Sequence, residues 1–415
     1  MTLSVSLTEE ANVTVDIPRK QLLEAFQLAG RARGRIGDTA LWSLCLHAVT
    51  PGQTMWWVHA SNGELEATIG STERRPETLT NLAWVQIDAQ RVMAQLAIWT
   101  GPSVRVSITL QPGAKSALVQ FVAIGGRSST ISVPGTCRKR KVAADGLLGG
   151  ISVVASTLAL SSRLVRCAVD DEEATPNLAL SGMKISLERG LLFLAATDSH
   201  RVSVCCIGGT CQPPVNTLGA IVPSSFARAL SSLWLDSVAA EPRHVCLEFC
   251  GNDAKVSHVV ARASGIEFRC ATMAGRFPDW ELLFPTTPSK ACVVNAGDLL
   301  KALNAARPIL MPGMERLKLT ISGSCIRVTS GSAGEEVRYE HPGDMTANDS
   351  QFLQANMNPT FLVPWLRQIP ADKNVECVAH EGNLIFEPET MRTGSLLSSS
   401  LLVCPIGEIS TELVW

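Results

Sequence analysis

The residues with the clearest chemical potential lie in the run Asp198-Ser199-His200-Arg201, where a carboxylate, an imidazole and a guanidinium follow closely. With one of the 13 cysteines, Asp198 and His200 would supply the parts of a Cys-His-Asp hydrolase. The sequence has no nucleophile elbow, phosphate-binding glycine loop or HExxH motif, and GGISVV at Gly149 lacks the GxGxxG spacing. The other interpretation is a structural turn, in which the Asp198 side chain accepts hydrogen bonds from nearby amides and His200 packs over it. The hydrolase is therefore a remote alternative.

The cysteines do not form a metal-binding pattern. Cys205, Cys206 and Cys211 could be combined with Cys246 and Cys250, but no Cys-x-x-Cys pair occurs anywhere in the chain. Most of the thiols lie in apolar, strand-like runs, where cysteine behaves as a small hydrophobic residue. We expect buried structural cysteines and neither a metal nor a cofactor.

Length and charge set the class of protein. The chain has 415 residues, a net charge of −2 and a pI near 6.4, so bulk charge does not indicate a nucleic-acid partner. The sequence begins with no signal-like segment and contains no apolar stretch long enough to span a membrane. These properties predict a soluble, cytoplasmic protein of several domains.

An internal repeat organises the elements around the Asp198 run. An apolar strand followed by a Leu- or Ala-rich helix starts at Val13, Ile151 and Cys292, at intervals of about 140 residues. A second strand and helix follow in each copy, starting at Trp84, Gly219 and Leu353. The repeat predicts an α+β fold of three similar domains, each with two helices packed on β-sheets, over residues 12–136, 147–286 and 290–415.

Local signals mark the second helix of each copy. The expected N-caps are Asp88, Ser224 or Ser225, and Asn358 followed by Pro359. Tryptophans expected to pack beneath the sheets end these helices, at Trp99, Trp234 and Trp365. Pro364 lies inside the third helix and should kink it.

Two motifs connect the repeat with a known family. Residues 178–204 read LALSGMKISLERGLLFLAATDSHRVSV, two strands joined by the turn Glu188-Arg189-Gly190, and residues 275–285 read GRFPDWELLFP. In order and spacing they resemble the bacterial sliding clamp, the beta subunit of DNA polymerase III, which usually has Gly where this chain has Ser199. The resemblance implies a non-catalytic processivity factor. It also implies a head-to-tail homodimer, in which two chains of three domains close a ring around double-stranded DNA.

The resemblance implies a DNA-facing surface on the helices of the repeat. Basic residues lie on or beside every predicted helix, and Arg35 occupies the position of a loop arginine that contacts DNA in the family. The candidate DNA-binding residues are Arg35, Arg91, Arg163, Arg228, Lys301 and Arg367. The alternative is that amphipathic helices carry cations on any solvated face.

Two charge runs lie near this surface. The basic run Arg138-Lys139-Arg140-Lys141 would contact phosphate or form a solvated linker. The acidic run Asp170-Asp171-Glu172-Glu173 would repel a phosphate backbone. It therefore supports an alternative function, a clamp paralogue that binds partners without encircling DNA.

The resemblance also implies a hydrophobic pocket for short linear motifs of DNA polymerase, the clamp loader and repair proteins. Its members are Leu180, Thr197, His200, Arg201 and Val202 on one side, Pro278, Leu282 and Leu283 beneath, and Val403, Cys404, Pro405 and Ile406 at the C-terminal edge. Leu282 stands where the family often has a basic residue, and nine residues follow Ile406. Ile309 and Leu310 match the apolar pair of the family's dimer interface.

Overall fold

The computed structural model describes most of the chain. The described residues are 11–32, 41–50, 53–71, 84–110, 116–127, 129–138, 146–170, 177–211, 217–232, 244–252, 255–284, 291–306, 316–322, 325–332, 335–342, 352–380, 383–388 and 396–404. The helices are α1 Arg19–Ala29, α2 Ala89–Ile98, α3 Ala155–Arg166, α4 Ser224–Ser232, α5 Ala296–Ala306 and α6 Pro359–Leu366. None of these described helices has the length and apolarity that crossing a membrane requires.

The strands follow the predicted repeat. The first copy contains β1 Ala11–Pro18, β2 Leu41–Thr50, β3 Gln53–Ser61, β4 Leu65–Gly70, β5 Trp84–Ile87, β6 Ser103–Leu110, β7 Ser116–Ile124 and β8 Thr130–Arg138. The second contains β9 Gly146–Val154, β10 Gly182–Glu188, β11 Leu191–Thr197, β12 Arg201–Gly208, β13 Thr210–Cys211, β14 Thr217–Pro223, β15 His244–Asn252, β16 Lys255–Ala263 and β17 Ile266–Ala271. The third contains β18 Ala291–Asn295, β19 Leu317–Ser322, β20 Cys325–Ser332, β21 Glu335–Pro342, β22 Phe352–Met357, β23 Asn374–His380, β24 Asn383–Pro388 and β25 Leu396–Val403.

The order of elements confirms the repeated α+β architecture. Each copy begins with a strand and a helix and continues with further strands to a second helix. Three strands follow the second helix in every copy. The chain separates into two compact units, residues 1–150 with 245–271 and residues 151–244 with 272–415. The division into domains at 12–136, 147–286 and 290–415 stays a prediction.

The first unit is built on one long sheet. Its strands follow the order β1-β6-β7-β8-β5-β2-β3-β4-β17-β16-β15. Strand β17 of the second copy pairs antiparallel with β4 of the first copy, from Ile266 opposite Ile69 to Cys270 opposite Leu65. A hairpin of one copy therefore extends the sheet of the preceding copy, which leaves no edge between them.

The second unit repeats this arrangement. Its larger sheet has the order β14-β10-β11-β12-β25-β24-β23-β18, and its smaller sheet has the order β21-β20-β19-β22. Strand β12 of the second copy pairs antiparallel with β25 of the third, with Arg201 opposite Val403 and Val202 opposite Leu402. This pairing brings the Asp198 run beside the end of the third copy, although about 200 residues separate them in the sequence.

The helix signals are mostly confirmed. Asp88 accepts hydrogen bonds from the amides of Gln90 and Arg91, and Asn358 accepts one from the amide of Thr360. Helix α4 begins at Ser224, so the expected cap there is wrong, because both serines lie in the first turn of the helix. Trp99 and Trp365 are buried as expected, and Trp234 lies outside the described residues.

Candidate functional site

The loop between β11 and β12 is held by the side chain of Asp198. One carboxylate oxygen accepts hydrogen bonds from the backbone amides of His200 and Arg201, each at 3.0 Å. These bonds form the structural turn that the sequence indicated for Asp198. Ser199, at the tip, has a φ of 74°, a backbone conformation that glycine adopts without strain. The turn leads into β12, so residues 178–204 contain parts of three strands and not two.

Arg201 is bound within the protein. Its Nε donates to the Oδ2 of Asp198 at 2.8 Å, and its Nη1 donates to the backbone carbonyls of Thr360 and Phe361 at 3.1 and 3.0 Å. The guanidinium also lies 5.2 Å from the centre of the Phe361 ring. The sequence interpretation placed Arg201 on one side of the peptide pocket. In the structure, Nε is bound to Asp198 within the loop and Nη1 holds α6 against the loop, so neither atom is directed to a peptide.

His200 packs over Phe361, and not over Asp198 as the turn interpretation expected. The two rings are stacked, with centres 5.5 Å apart and planes 8° from parallel. The backbone carbonyl of His200 accepts a hydrogen bond of 2.8 Å from the amide of Cys404. The imidazole is exposed at the surface. His200 thus joins the loop both to α6 and to the end of β25. Sequence reasoning missed Phe361, since nothing in its own helix marks it as a partner of the loop.

Beneath this loop, the larger sheet of the second unit carries an apolar cluster. Its buried members are Ala179, Ala195, Val202, Val204, Ile221, Phe277, Val378, Ile385 and Leu402. Four partly buried side chains pack against them, Met273, Trp280, Phe284 and Cys404. We call these four residues the apolar rim. Of the predicted pocket residues, Val202 is in the cluster and Cys404 is in the rim, while Leu180, Thr197 and Val403 are buried nearby.

The segment after Gly275 differs from the expectation. Leu282 and Leu283 were assigned to the underside of the pocket, but their side chains are 80% and 40% exposed. Trp280 and Phe284 pack against the cluster in their place, and their rings are 5.9 Å apart. Aromatic rings cover more apolar area than leucines, which explains why they occupy the inner side. Pro278 is exposed.

Gly275 explains how this segment reaches the cluster. Its φ is 132°, which side chains rarely adopt, and a Cβ added there would lie 3.1 Å from the Cβ of Ala179. The backbone therefore passes directly over Ala179, and Phe277 two residues later is buried. The glycine of the Gly-Arg-Phe-Pro motif is required for this close approach.

A polar cleft of about 670 Å³ has His200 among its lining residues. It is lined by Arg163, Arg166, Cys167, Val169, Asp170, Asp198, His200, Arg201, Phe361, Pro364 and Gln368. Arg163 and Arg166 are three residues apart in the last turn of α3, a spacing that places them side by side on the helix surface. The cleft thus brings Arg163, a predicted DNA contact, together with His200 and Arg201, which were predicted to line one side of the peptide pocket.

The other predicted DNA contacts lie on helix surfaces. Arg91, Arg228, Lys301 and Arg367 are exposed, and Lys301 pairs with Asp298 at 3.0 Å. Helix α3 packs against α4, and α5 packs against α6. Five predicted site residues lie outside the described residues: Arg35, Ile309, Leu310, Pro405 and Ile406. The same applies to Lys139–Lys141 and to Asp171–Glu173.

The thiols are poorly suited to nucleophilic catalysis. Burial raises the pKa of Cys167 to about 12 and that of Cys205 to about 12, so both stay protonated at neutral pH. Asp198 orients backbone amides and Arg201, as described above, and not an imidazole nitrogen. Within the described residues, no cluster of three or more His, Cys, Asp or Glu side chains is arranged to hold a metal ion. The hydrolase alternative therefore has no support in this geometry.

The sequence comparisons give distant relatives. No protein-family model matches the chain. The beta sliding clamp of Streptococcus pneumoniae serotype 4 is 23% identical over 209 residues, which cover 50% of this chain and 51% of that protein. The beta sliding clamp of Haemophilus influenzae is 25% identical over 200 residues, 48% of this chain and 51% of that protein. The chain spans about half the length of the curated relatives it matches.

The structural comparisons extend further along the chain. A Pseudomonas aeruginosa sliding clamp bound to griselimycin matches with a TM-score of 0.73 and 19% identity, over 96% of this chain and 100% of that one. The Bacillus subtilis DNA polymerase sliding clamp matches with a TM-score of 0.72 and 15% identity, again over 96% and 100%. The fold is that of a sliding clamp. With that fold, the loop at Asp198 and the segment at Gly275 carry the two motifs by which the sequence resembles the bacterial sliding clamps.

Proposed function

We propose that this protein is a DNA sliding clamp, a non-catalytic processivity factor that encircles duplex DNA in the cytoplasm and tethers a DNA polymerase to it. The observation that carries the proposal is the structural match, which covers 96% of the chain and so includes all three repeats. The two sequence motifs support it independently, because their residues form the loop and the close backbone approach described above.

The DNA-facing surface in this proposal consists of helix cations. Arg91, Arg228, Lys301 and Arg367 are exposed on or beside α2, α4, α5 and α6. Exposed cations attract phosphates without reading base sequence, as a sliding protein requires. Arg35 would contribute from its loop.

The partner-binding surface in this proposal is the apolar cluster with its rim. Met273, Trp280, Phe284 and Cys404 are only partly buried, so they offer apolar area to an extended peptide. His200 is exposed at the edge, beside Cys404. We infer that polymerase, clamp loader and repair proteins place short apolar motifs here, with Leu283, Pro405 and Ile406 contributing at the margin.

Topological retention on DNA tests the function. The protein is loaded onto a nicked circular plasmid with a bacterial clamp loader and ATP, unbound protein is removed, and half of the sample is linearised with a restriction enzyme. A clamp remains on the circle and slides off the linear molecule. Equal retention on both forms contradicts encirclement. If no DNA form retains the protein while polymerase peptides still bind it, the paralogue that does not encircle DNA is the correct alternative.

The proposed assembly is a head-to-tail homodimer. Closure would pair the strands at the two ends of each chain, which would otherwise be open to uncontrolled association. Changing Ile309 and Leu310 together to Glu should give monomers in light scattering, because each of the two interfaces would lose its apolar centre. A parent protein that is monomeric at micromolar concentration would rule out the ring.

A further inference from the structure

The polar cleft beside His200 contains more cationic groups than the turn itself requires. Arg201 is matched by Asp198 and by the carbonyls of Thr360 and Phe361. Arg163 and Arg166 also line the cleft. Their Nε atoms are buried and have no hydrogen-bond partner among the residues that the structure describes. Both residues are only partly buried and line the cleft. An acceptor from outside would therefore meet the outer guanidinium nitrogens, which share the positive charge with the buried Nε atoms.

The position of Arg163 and Arg166 has a partial structural explanation. Both lie in the last turn of α3, where cations interact favourably with the helix dipole. The interaction with the helix dipole acts on the charge of each guanidinium. It provides no hydrogen-bond acceptor for the guanidinium nitrogens. A carboxylate provides two acceptor oxygens and pairs well with guanidinium groups in a fixed geometry.

The cleft adjoins the apolar cluster through His200. His200 lines the cleft, and its backbone carbonyl accepts a hydrogen bond from the amide of Cys404 in the apolar rim. An extended peptide advances about 3.3 Å per residue, so one that anchors in the rim reaches the cleft within a few residues. The volume of about 670 Å³ accommodates several side chains.

We propose that the cleft binds an acidic side chain of the docked peptide, whose carboxylate pairs with Arg163 and Arg166. The proposal rests on the peptide-binding function proposed above and adds a charge requirement to it. Partners of this protein would then carry Asp or Glu beside their apolar anchors. A phosphate of DNA is the competing ligand for the same arginines. Asp170 also lines the cleft, and a long polyanion brings more negative charge near it than one carboxylate does, which makes DNA the less favourable of the two.

Two fluorescein-labelled peptides test the proposal by fluorescence anisotropy. The neutral probe is a peptide with one Gln and two large apolar residues flanked by Ala, and the acidic probe has Glu pairs in place of the flanking Ala. On the parent protein, we expect the acidic probe to bind about ten-fold more tightly at low salt, the effect of one good charge-assisted pair. High salt should reduce this preference.

The variants are Arg163→Gln with Arg166→Gln, the charge-conserving pair Arg163→Lys with Arg166→Lys, and Arg189→Gln as a control. Arg189 is an exposed residue of the β10–β11 turn, so its replacement by Gln removes the same kind of charge outside the cleft. The Gln pair should bind both probes equally, the Lys pair should keep part of the preference, and the control should keep all of it. Thermal unfolding of each variant shows whether it is folded.

Three results would overturn the proposal. Equal binding of both probes to the parent protein, with the neutral probe bound normally, overturns the charge requirement alone. Retention of the acidic preference by the Gln pair, together with loss of DNA retention, assigns the arginines to the DNA backbone instead. Failure of both probes to bind the parent protein removes the peptide site and this proposal with it.

Discussion

Arg201 donates a hydrogen bond of 3.1 Å to the carbonyl of Thr360, the one carbonyl of α6 that Pro364 leaves without its usual donor. In an α-helix that carbonyl accepts from the amide four residues later, and proline has no amide hydrogen. The Asp198 turn in the second copy thus completes a helix in the third. The proline inside α6 and the arginine expected at the pocket are two parts of one interaction.

Replacing Arg201 by Met should destabilise the second unit by about 2 to 4 kcal/mol, because it leaves the Oδ2 atom of Asp198 and the carbonyl of Thr360 without their donor. Calorimetric unfolding measures this loss. Pro364→Ala restores an amide in α6 and should make the Arg201→Met change less costly in a double-mutant cycle. Additive effects of the two substitutions would show that the proline and the arginine are not coupled.

Replacing Ser199 by Gly should stabilise the protein by about 1 kcal/mol, since glycine relieves the left-handed strain while losing some chain entropy. The φ of 74° is the reason for this expectation. Ser199→Ala keeps the strain and serves as the control, with little change in melting temperature. A lower melting temperature for Ser199→Gly would mean that the serine side chain stabilises the turn.

Replacing Gly275 by Ala should destabilise the protein by about 1 to 3 kcal/mol, because strain at this φ adds to the contact with Ala179. Gly190→Ala is the matched control, since its φ is 86° and a Cβ there meets nothing within 4 Å. The difference between their melting temperatures isolates the contact with Ala179. Equal losses of melting temperature in the two variants would show that backbone strain alone accounts for the need for glycine at position 275.

Replacing Leu283 by Asp should weaken binding of the neutral peptide probe, because a docked peptide would partly desolvate a charge at the margin of the apolar rim. Leu118→Asp is the control, since Leu118 is 43% exposed against 40% for Leu283 and lies in the first unit. Anisotropy titration measures both. A Leu283→Asp variant that binds like the parent would remove Leu283 from the peptide site.

Stability should fall as the pH rises above 9. Burial raises the pKa of Cys167 and Cys205 to about 12, whereas an exposed thiol in the unfolded chain titrates near 9.0. Between these values the unfolded state binds fewer protons than the folded state, so stability decreases as pH increases. Melting temperatures at pH 8 and pH 10 measure the fall. The double variant Cys167→Ala with Cys205→Ala should lose less melting temperature between pH 8 and pH 10. If its loss equals that of the parent protein, other groups cause the pH dependence.

The sequence determined the repeat and its local signals. The periodic strands and helices, the caps at Asp88 and Asn358, and the turn at Arg189 and Gly190 depend on neighbouring residues, which a linear reading includes. The motif at Asp198 also located the turn, because a short side chain with two acceptor oxygens is typical of such turns. The motif at Gly275 was recognised by its residues alone, and its close approach to Ala179 became visible only in the structure.

Only the tertiary structure decided how these parts form a site. The bonds from Arg201 to α6, the stacking of His200 on Phe361 and the convergence of Arg163 with both depend on residues far apart in the chain. The inner position of Trp280 and Phe284, with Leu282 outside, was likewise set by competition for the surface of the sheet. Local patterns specify the conformation of a segment, but its partner is specified by packing against segments that the local pattern does not contain.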